Sequence, residues 1–362
     1  MPKSSSLSVA SFFAGAGGLD LGFKQAGFNV PWANEYDKTI WETYEANHPE
    51  TVLDHRSIVD INGSDIPKVN GFIGGPPCQS WSEAGSLRGA DDHRGQLFFE
   101  YLRLIEAKKP DFFLAENVSG ILFSRHSSAF TSILTGFTDL GYNVSFGLLS
   151  SNDYGVAQVR ERVIIVGYKT SIGKFFSPPT PEEYKPVFKD IIWDLKDSVK
   201  PALEGNKANT NLKVPNHEFM TGGFSSMFMS RNRVRSWNEP SFTIQAGGRH
   251  APLHPQAPKM QHVGKDRYQF VGGQEDLYRR LSVREAARVQ AFPDDFIFHY
   301  KSVTDGYKMI GNAVAVTFAK HLAEQIAADL ADVDLSRTSR KKGEIVPFED
   351  LPVASLQLSN AG

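Results

Sequence analysis

Short apolar runs alternate with segments of helical spacing along the first 170 residues, and this alternation limits the possible folds more than any other feature of the sequence. The segments between the runs place apolar residues three or four positions apart, as amphipathic helices do. Strands separated by single helices form βαβ units, so the pattern predicts an α/β fold with a doubly wound parallel sheet. The predicted strands cover residues 7–13, 29–33, 69–73, 111–114, 144–149 and 162–168, and the predicted helices cover residues 19–26, 37–46, 95–107 and 127–140.

The alternation stops near residue 175. Pro, Asn, Gly and Ser are frequent from there to about residue 270, which predicts a smaller irregular domain rich in loops. Helical signals return at residues 282–290, where Ser282 can cap the helix and Glu285 lies three positions later, and again at 314–330. The mixed, polar last thirty residues are expected to form a loosely held tail. These changes predict boundaries that divide the chain into residues 1–174, 175–280, 281–335 and 336–362.

The composition excludes several classes of protein. No run of eighteen apolar residues is present, and the first six residues lack the apolar stretch of a signal peptide, so we expect a cytoplasmic protein with no membrane partner. The single cysteine excludes an internal disulfide framework and a Cys-x-x-Cys zinc site, and no metal is expected. The net charge is only −2, but residues 221–270 contain seven Lys or Arg against two Asp or Glu. This local excess indicates a surface for an anion.

Residues 13–18, Phe-Ala-Gly-Ala-Gly-Gly, follow the first predicted strand and resemble a nucleotide-binding turn. Many strand-to-helix junctions need glycines only for packing, so the turn alone is weak evidence. Glu35, which ends the second strand, strengthens the binding interpretation because a carboxylate there can accept both ribose hydroxyls of NAD or of S-adenosylmethionine. Leu21 stands where a dinucleotide fingerprint has a third glycine or alanine, which favours the methyl donor.

Cys78 follows Gly-Gly-Pro-Pro at the end of the third predicted strand. A solitary cysteine is most often a small buried apolar residue. Here the two prolines exclude a regular helix or a central strand, and the polar residues Gln79 and Ser80 follow. The context therefore favours a chemical role for the thiol.

Three further groups of polar residues allow both a structural and a functional interpretation. Glu116 and Asn117 end an apolar strand, where a carboxylate can be a general acid or a cap for the next loop. The run Gln158-x-Arg160-x-Arg162 can be a catalytic cluster or a solvated charged face. Arginines in the basic stretch alternate as on one face of a strand, which suits contacts to guanine or phosphate. These arginines are Arg231, Arg233 and Arg235, with Arg249 following two glycines.

The order of these motifs is more specific than any one of them. Phe13-Ala-Gly-Ala-Gly-Gly, Pro76-Pro-Cys-Gln, Glu116-Asn-Val, Gln158-x-Arg-x-Arg and Gly311-Asn-Ala-Val together resemble the cytosine-C5 DNA methyltransferase family over residues 7–330. Residues 75–83, 231–240 and 307–314 are most similar to the HaeIII-type bacterial modification enzymes, which methylate GGCC. The resemblance implies a Rossmann-like, S-adenosylmethionine-dependent catalytic domain in residues 1–174 and 281–335. It also implies a target-recognition domain in residues 175–280.

The resemblance implies a covalent mechanism for methyl transfer. Cys78 would add to C6 of the target cytosine, because C5 becomes nucleophilic only after that addition. Glu116, helped by Asn117, would hold or protonate N3 and stabilise the charge that the addition pushes into the ring. Arg162 would contact O2 of the ring, and Arg160 would help to position the nucleophile loop and a nearby phosphate. A base would then remove the C5 proton and release the thiolate.

The resemblance also implies an S-adenosyl-L-methionine site, in which Glu35 would bind the ribose and Tyr36 would lie against the adenine. The sequence departs from the family twice. Arg56-Ser-Ile replaces a Gly-Asp-Ile turn beside the adenine, which leaves one adenine contact without its usual acid. Ala315 replaces a proline, a change that we expect to be tolerated. The implied donor-site residues are Phe13, Gly15, Gly17, Leu19, Glu35, Tyr36, Ser57, Ile58, Pro76, Asn312 and Val314.

Double-stranded DNA is the implied partner. The target cytosine must leave the helix, because catalytic groups cannot reach both faces of a stacked ring, and residues 82–95 are a candidate lid. Met227 is a candidate to fill the gap left by the base, and Arg235 is a weaker guanine reader because it can pair with Glu239. The enzyme is expected to act as a monomer, alongside a restriction endonuclease of the same site. The candidate DNA-binding residues are Gln79, Ser80, Ser82, Arg88, Met227, Arg231, Arg233, Arg235 and Arg249.

Two other functions compete with this interpretation. RNA methyltransferases of the same fold carry a Cys-Phe-Thr signature in the second domain, which a chain with one cysteine cannot also contain. A non-catalytic DNA-binding homologue would regulate transcription, but the intact residues Cys78, Glu116, Arg160 and Arg162 argue against it. A methyl-transfer assay separates an enzyme from such a regulator.

Overall fold

The computed structural model describes residues 6–77, 96–339 and 341–351. In this part of the chain, eight strands form one sheet and four short strands form two small pairs. The apolar runs become strands because β-branched and aromatic side chains fit a pleated surface that is covered on both faces. The strands are β1 (Ser8–Phe12), β2 (Asn29–Asn34), β3 (Val52–Asp54), β4 (Gly71–Gly74), β5 (Phe112–Val118), β6 (Tyr142–Ser150), β7 (Glu161–Lys169), β8 (Lys200–Pro201), β9 (Glu218–Phe219), β10 (Gln261–Gly264), β11 (Arg267–Gln269) and β12 (Ile345–Pro347).

The order of strands in the large sheet is β12-β6-β7-β5-β4-β1-β2-β3. Strands β1 to β5 pair in parallel, as the alternation predicts. Strand β7 instead runs antiparallel to both β5 and β6. Residues 151–160, which join β6 to β7, are too few for a helical crossover, so the chain returns beside the strand it has just left. The predicted α/β architecture is confirmed, with a sheet that is mixed rather than wholly parallel.

Helices cover both faces of the large sheet. On one face, α3 and α4 pack on a core that includes Phe12, Phe72 and Phe113, and on the other face α1 and α8 pack against Ile73 and Ile164. The helices are α1 (Gly18–Gln25), α2 (Trp41–Asn47), α3 (Gln96–Lys108), α4 (Ser127–Asp139), α5 (Phe188–Ile192), α6 (Val283–Val289), α7 (Val303–Asn312) and α8 (Val316–Leu330).

Local capping explains where several helices begin. Helix α6 has the predicted capping box, in which the Ser282 hydroxyl accepts the Glu285 N–H at 3.0 Å and the Glu285 carboxylate accepts the Ser282 N–H at 2.8 Å. Helix α2 begins four residues later than predicted, because the Asp37 carboxylate accepts the Thr39 N–H and holds a turn before the helix. Helix α7 was not predicted, although Ser302 caps it through the Thr304 N–H.

Residues 175–280 are irregular, as predicted, and contribute to two separate apolar cores. Phe228, Leu253 and Tyr278 belong to a small apolar cluster formed within this region, and we call this cluster the recognition lobe. Phe188 and Ile244 instead join a core shared with α6 and α7. The irregular region is therefore anchored on the helices that follow it in the chain.

Residues 341–351, which belong to the predicted loose tail, are held against the large sheet. Residues 345–347 form β12, which pairs in parallel with β6 and covers the edge of the large sheet. Phe348 follows and packs against Phe176, with 5.8 Å between the ring centroids. Apolar residues in a polar segment thus suffice to hold an edge strand. None of the helices in the described ranges is long and apolar enough to cross a membrane.

Candidate active site and DNA-facing cleft

A cavity of about 380 Å³ opens at the carboxyl ends of β1, β2, β4 and β5, and we call it the sheet-end cavity. Ligands of α/β proteins bind at this edge, where parallel strands end together. The structure brings side chains from separate motifs of the sequence to its wall. The predicted residues among them are Phe13, Gly15, Leu19, Glu35, Pro76, Glu116, Asn117, Arg160, Arg162, Asn312 and Val314.

The turn after β1 is shaped by left-handed backbone conformations. Phe13, Gly15 and Gly17 have φ values of +53°, +56° and +86°. A Cβ atom at Gly17 would lie 2.1 Å from Nε2 of His48, so no larger side chain fits there. Gly17 therefore supports the turn from behind and is not part of the described wall. At Gly15, nothing lies within 4 Å of the place of a Cβ, so the backbone is open towards the cavity.

Glu35 fixes this turn and faces the same cavity. Its carboxylate accepts the Gly15 N–H at 2.9 Å through one oxygen and the Asp37 N–H at 2.7 Å through the other. Burial raises the pKa of the Glu35 carboxyl, and the two N–H donors oppose that rise. Each oxygen keeps a second lone pair, so the carboxylate can accept further hydrogen bonds from a ligand hydroxyl.

Asp20, in the first turn of α1, supports this site but was not among the predicted site residues. It is fully buried, and its carboxylate accepts the hydroxyls of Ser11 and Tyr44, each at 2.5 Å. Burial raises the pKa of this carboxyl. Because Ser11 also lines the sheet-end cavity, Asp20 holds one of its walls in place. The signal in the sequence was an acidic residue among the apolar positions of α1.

The predicted adenine contacts do not reach the described wall of the cavity. Tyr36 is 72% exposed, and Ile58 is packed in the core below the sheet. Ser57 lies beside Arg56, whose guanidinium pairs with Asp54 at 2.6 Å. The wall instead contains Asp37, Ile40 and Met309, which were not among the predicted site residues.

Glu116 and Arg162 form an ion pair in the sheet-end cavity. The Arg162 Nε atom lies 2.7 Å from the Glu116 Oε1 atom, and both side chains are largely buried. The pairing register of β5 and β7 places Glu116 opposite Ile164 and Val118 opposite Arg162, so the two charged residues are diagonal neighbours on one face. The Asn117 amide donates to the Pro76 carbonyl at 2.9 Å, which ties the end of β5 to the segment after β4.

Arg160 has a structural environment that corrects one expectation. Its guanidinium is 2% exposed and donates to the carbonyls of Ile244 at 3.1 Å, Gly311 at 2.9 Å and Ala313 at 3.0 Å. Burial, with a smaller contribution from the Arg162 cation, lowers the pKa of Arg160 to about 9. A buried guanidinium that is bonded to backbone carbonyls is not available to a DNA phosphate. Arg160 joins the irregular region to the turn after α7.

A second cavity of about 510 Å³, which we call the recognition cleft, lies beside the first. Ser119, Glu161 and Arg162 form the side of the cleft next to the large sheet, and Arg162 lines both cavities. On the recognition side lie Arg231, Asn232, Arg233, Phe242, Thr243, Gln245, His250 and Pro252. The cleft is thus continuous with the Glu116–Arg162 pair.

The arginines of the basic stretch do not share one face of a strand. Arg231 and Arg249 are exposed, whereas Arg233 is buried and donates to the carbonyls of Phe228 at 2.8 Å and Met227 at 2.9 Å. Residues 228–230 form a short 3-10 helix, so the backbone lacks the alternation of a strand. Arg233 therefore shapes the turn that leaves Met227 69% exposed.

Arg235 pairs with Glu239 at 3.0 Å, as the spacing suggested, and its guanidinium lies over the Phe242 ring.

Five predicted site residues lie outside the described residues: Cys78, Gln79, Ser80, Ser82 and Arg88. The candidate lid, residues 82–95, also lies there. The described chain leads up to Cys78 through Gly75, Pro76 and Pro77, all of which line the sheet-end cavity. Within the described ranges, no group of three or more His, Cys, Asp or Glu side chains could hold a metal ion.

Comparison with known proteins identifies the family. The model of the C-5 cytosine-specific DNA methylase family matches residues 7–328. This chain belongs to the C-5 cytosine-specific DNA methylases. It is 54% identical to the type II methyltransferase M.FnuDI of Fusobacterium nucleatum, over 90% of this chain and 96% of that protein. It is 56% identical to the type II methyltransferase M.MthTI of Methanothermobacter thermautotrophicus, over 90% of this chain and 99% of that protein.

The C-5 cytosine methylase fold is also found among solved structures. A proposed DNA modification methyltransferase encoded within an E. coli prophage superposes with a TM-score of 0.69 at 24% identity, over 90% of this chain and all of that one. The predicted enzyme class is therefore confirmed: the protein is a DNA (cytosine-5-)-methyltransferase of the type II group, consistent with the modification half of a restriction-modification system. As a member of this family, it acts on DNA.

Proposed function

We propose that this methylase transfers a methyl group from S-adenosyl-L-methionine to C5 of a cytosine flipped out of a GGCC site, through a covalent bond between Cys78 and C6. The observation that carries the proposal is the position of the Glu116–Arg162 pair in the same cavity as the glycine turn and Glu35. A donor and a cytosine bound in one cavity can meet without leaving the protein.

The residues of the glycine turn fit the methyl donor. The open backbone at Gly15 allows a ligand to approach closely, and the Glu35 carboxylate has acceptor capacity for ribose hydroxyls. Leu19 and Val314 supply apolar surface, and Asn312 is exposed towards the cavity. S-adenosylmethionine supplies an electrophilic methyl group when it is bound. The part of the site that would hold adenine through Tyr36, Ser57 and Ile58 stays a prediction.

The Glu116–Arg162 pair fits the edge of a cytosine. A carboxyl group can hold or protonate N3, and the guanidinium can donate to O2, so both groups act on the atoms that gain negative charge when C6 is attacked. The short ion pair keeps the two side chains in position before the base arrives. Cytosine binding would place Glu116 at N3 and Arg162 at O2, which are neighbouring polar groups on one edge of the base.

Cys78 would supply the nucleophile. Its thiolate would add to C6 and push the π electrons of the C5=C6 bond towards C5 and N3. C5 would then take the methyl group, with the rest of the donor leaving as a neutral thioether, and loss of the C5 proton to a base would re-form the C5=C6 bond as the C6–S bond breaks. The bond from Asn117 to the Pro76 carbonyl fixes the segment that leads to Cys78 against the end of β5. The described geometry thus directs the chain before Cys78 towards Glu116.

The recognition cleft is proposed to receive the duplex. Arg231 lines it with a side chain that forms no ion pair in the described structure, and a planar guanidinium can meet O6 and N7 of guanine together. The exposed Met227 is a candidate to occupy the space that the flipped cytosine vacates. We also propose that the enzyme acts as a monomer and is paired with an endonuclease for the same site.

Trapping on modified DNA tests the proposal. A GGCC duplex with 5-fluorocytosine at the target should hold the wild-type enzyme in a denaturant-resistant complex, because fluorine cannot leave as a proton does. Cys78→Ala should form no such complex while it still binds DNA. An active enzyme that methylates normal DNA but is never trapped would refute the covalent mechanism. Bisulfite sequencing of DNA from expressing cells would show whether GGCC is the site.

A further inference from the structure

The recognition cleft contains two kinds of polar side chain. Asn232 and Thr243 are committed to the protein: the Asn232 amide donates to the Val234 carbonyl at 2.7 Å, and the Thr243 hydroxyl donates to the Val159 carbonyl at 2.7 Å. Within the described structure, the side chains of Arg231, Gln245 and His250 form no hydrogen bond to the protein although they line the same cleft. These uncommitted groups are available to a ligand.

The backbone that carries Gln245 is held on its N-terminal side by two buried side chains. The Ile244 N–H donates to the Gln158 side-chain oxygen at 2.8 Å, and the Ile244 carbonyl accepts from Arg160 at 3.1 Å. Gln158 is fully buried and Arg160 is 2% exposed. Because the N–H and the carbonyl of Ile244 are both hydrogen-bonded, the backbone that leads into Gln245 has a fixed position and direction.

The same segment is held from the other side by the end of α7. A Cβ atom at Gly311 would lie 2.3 Å from the Gln245 carbonyl carbon and 2.4 Å from the Ala246 nitrogen, so the two backbones are in direct contact. Gly311 also lines the sheet-end cavity. Gln245 therefore lies at the junction of the two cavities, with its backbone against the wall of one and its side chain in the other.

A glutamine at this junction is suited to read a base. Its amide carries both a donor and an acceptor, and it has no charge that would attract it to phosphate. A reader on a fixed backbone loses little conformational freedom when it binds, which makes discrimination sharper. We propose that Gln245 is a specificity-determining residue that contacts the base pair next to the methylated cytosine. The inference rests on the proposed function, because it takes the sheet-end cavity to be the pocket of the flipped base.

The test compares Gln245→Met with Gln274→Met. Methionine keeps the length of glutamine but cannot form the amide hydrogen bonds, and Gln274 is an exposed glutamine of residues 175–280 outside the cleft. Transfer of a radioactive methyl group would be measured as kcat/KM on the duplex site that the wild type methylates and on every single base-pair variant of it. We expect Gln245→Met to lose about 5- to 150-fold of the discrimination at one position beside the target, which corresponds to about 1–3 kcal/mol for one base contact. Gln274→Met should behave like the wild type.

A second variant keeps the result independent of any effect on folding. Gln245→Glu retains the acceptor but loses the donor, so preference at the same position should move towards a base pair that offers an amino group there. Equal loss of activity on all duplexes, no change, or relaxation only at a position away from the target would each refute the role of Gln245. Failure of the wild type to methylate any cytosine duplex would instead refute the proposed function.

Discussion

The sheet-end cavity and the recognition cleft share Arg162 but are built by different means. The wall of the cavity consists largely of strand ends and tight turns whose backbone groups are satisfied by the sheet and by the turn itself. The recognition side of the cleft consists of coil, with the 3-10 helix of residues 248–250 and isolated bridges in place of a long ladder. Backbone N–H and carbonyl groups must be hydrogen-bonded in both regions, but coil cannot satisfy them with a regular ladder as the sheet does.

Buried arginines replace the missing ladder in the irregular region. Arg160 donates to three carbonyls and Arg233 to two. Arg280 donates to the carbonyls of Gly222 at 3.1 Å and Gly223 at 2.9 Å, and Arg284 donates to those of Pro215, Pro293 and Phe296. A buried carbonyl without a donor costs free energy, and a guanidinium offers five donors in one plane.

The difference teaches that an arginine in a basic stretch has two possible uses. Arg231 and Arg233 are two residues apart, yet one is exposed in the cleft and the other is buried beneath the turn of Met227. Burial, with a smaller contribution from the Arg231 cation, lowers the pKa of Arg233. Composition identifies the pair, but burial decides which arginine supports the fold and which can meet DNA.

The largest expected effect concerns the chemistry of the sheet-end cavity. Glu116→Gln should lower kcat by about 10²- to 10⁴-fold, because the amide cannot protonate N3. Donor affinity, measured by calorimetry, should change little. Glu106→Gln, at an exposed position of α3, is the control and should retain full activity. An active Glu116→Gln enzyme would show that this cavity does not hold the reacting base.

The next effect is the pH dependence of the scaffold that holds the recognition lobe. Burial alone would raise the pKa of Glu285, but its two hydrogen bonds to Arg279, at 2.7 and 2.8 Å, keep that pKa at about 2. A carboxyl group with a lowered pKa in the folded state stabilises the protein above its unfolded pKa of 4.5, and this stabilisation is lost as the pH falls towards 2. The free energy of unfolding should therefore fall by about 3 kcal/mol over this range through this group.

Chemical unfolding at several pH values checks this prediction. In Glu285→Gln the fall between pH 4.5 and 2 should be smaller than in the wild type, because residue 285 no longer titrates. If the free energy of unfolding of Glu285→Gln depends on pH as that of the wild type does, other carboxyl groups cause the acid unfolding.

A paired substitution tests the two uses of arginine directly. Arg233→Ala should lower the free energy of unfolding by about 1–3 kcal/mol, since it leaves the carbonyl of the buried Phe228 without its donor, whereas the Met227 carbonyl keeps the Ser230 hydroxyl. Arg231→Ala should leave unfolding unchanged and cost about 1–3 kcal/mol in binding to the cognate duplex. Thermal unfolding and DNA titrations at several salt concentrations separate the variants. An Arg233→Ala variant that is as stable as the wild type and has lost its preference for one base of the DNA site would show that Arg233 contacts that base.

The last effect, of about the same size as that of the arginine variants, concerns the methyl donor. Glu35→Gln should weaken donor binding by no more than about 1.5–3 kcal/mol, the contribution of charge-assisted hydrogen bonds to a ribose. Burial raises the pKa of Glu35, so wild-type affinity should fall as the pH drops through this raised value, at a higher pH than for an ordinary glutamate. Calorimetric titration at several pH values should show that this fall in donor affinity is absent in Glu35→Gln. Equal affinities at all pH values would remove Glu35 from the donor site.

The sequence by itself determined the features that depend on neighbouring residues. The alternation located six of the eight strands of the large sheet and the helices between them, and the spacing of Ser282 and Glu285 located the start of α6. The same holds for the Arg235–Glu239 pair, whose members are four residues apart. Periodicity and capping act over a few residues, so a single chain without its fold already contains them.

Only the tertiary structure decided which distant segments meet. Arg160 reaches carbonyls 84, 151 and 153 residues away, and no local pattern encodes those partners. The antiparallel direction of β7, the edge strand β12 in a polar segment, and the burial of Arg233 depend in the same way on what packs against them. A hydrogen bond satisfies a buried group whatever the distance along the chain, so the choice of donor is made by the assembled core.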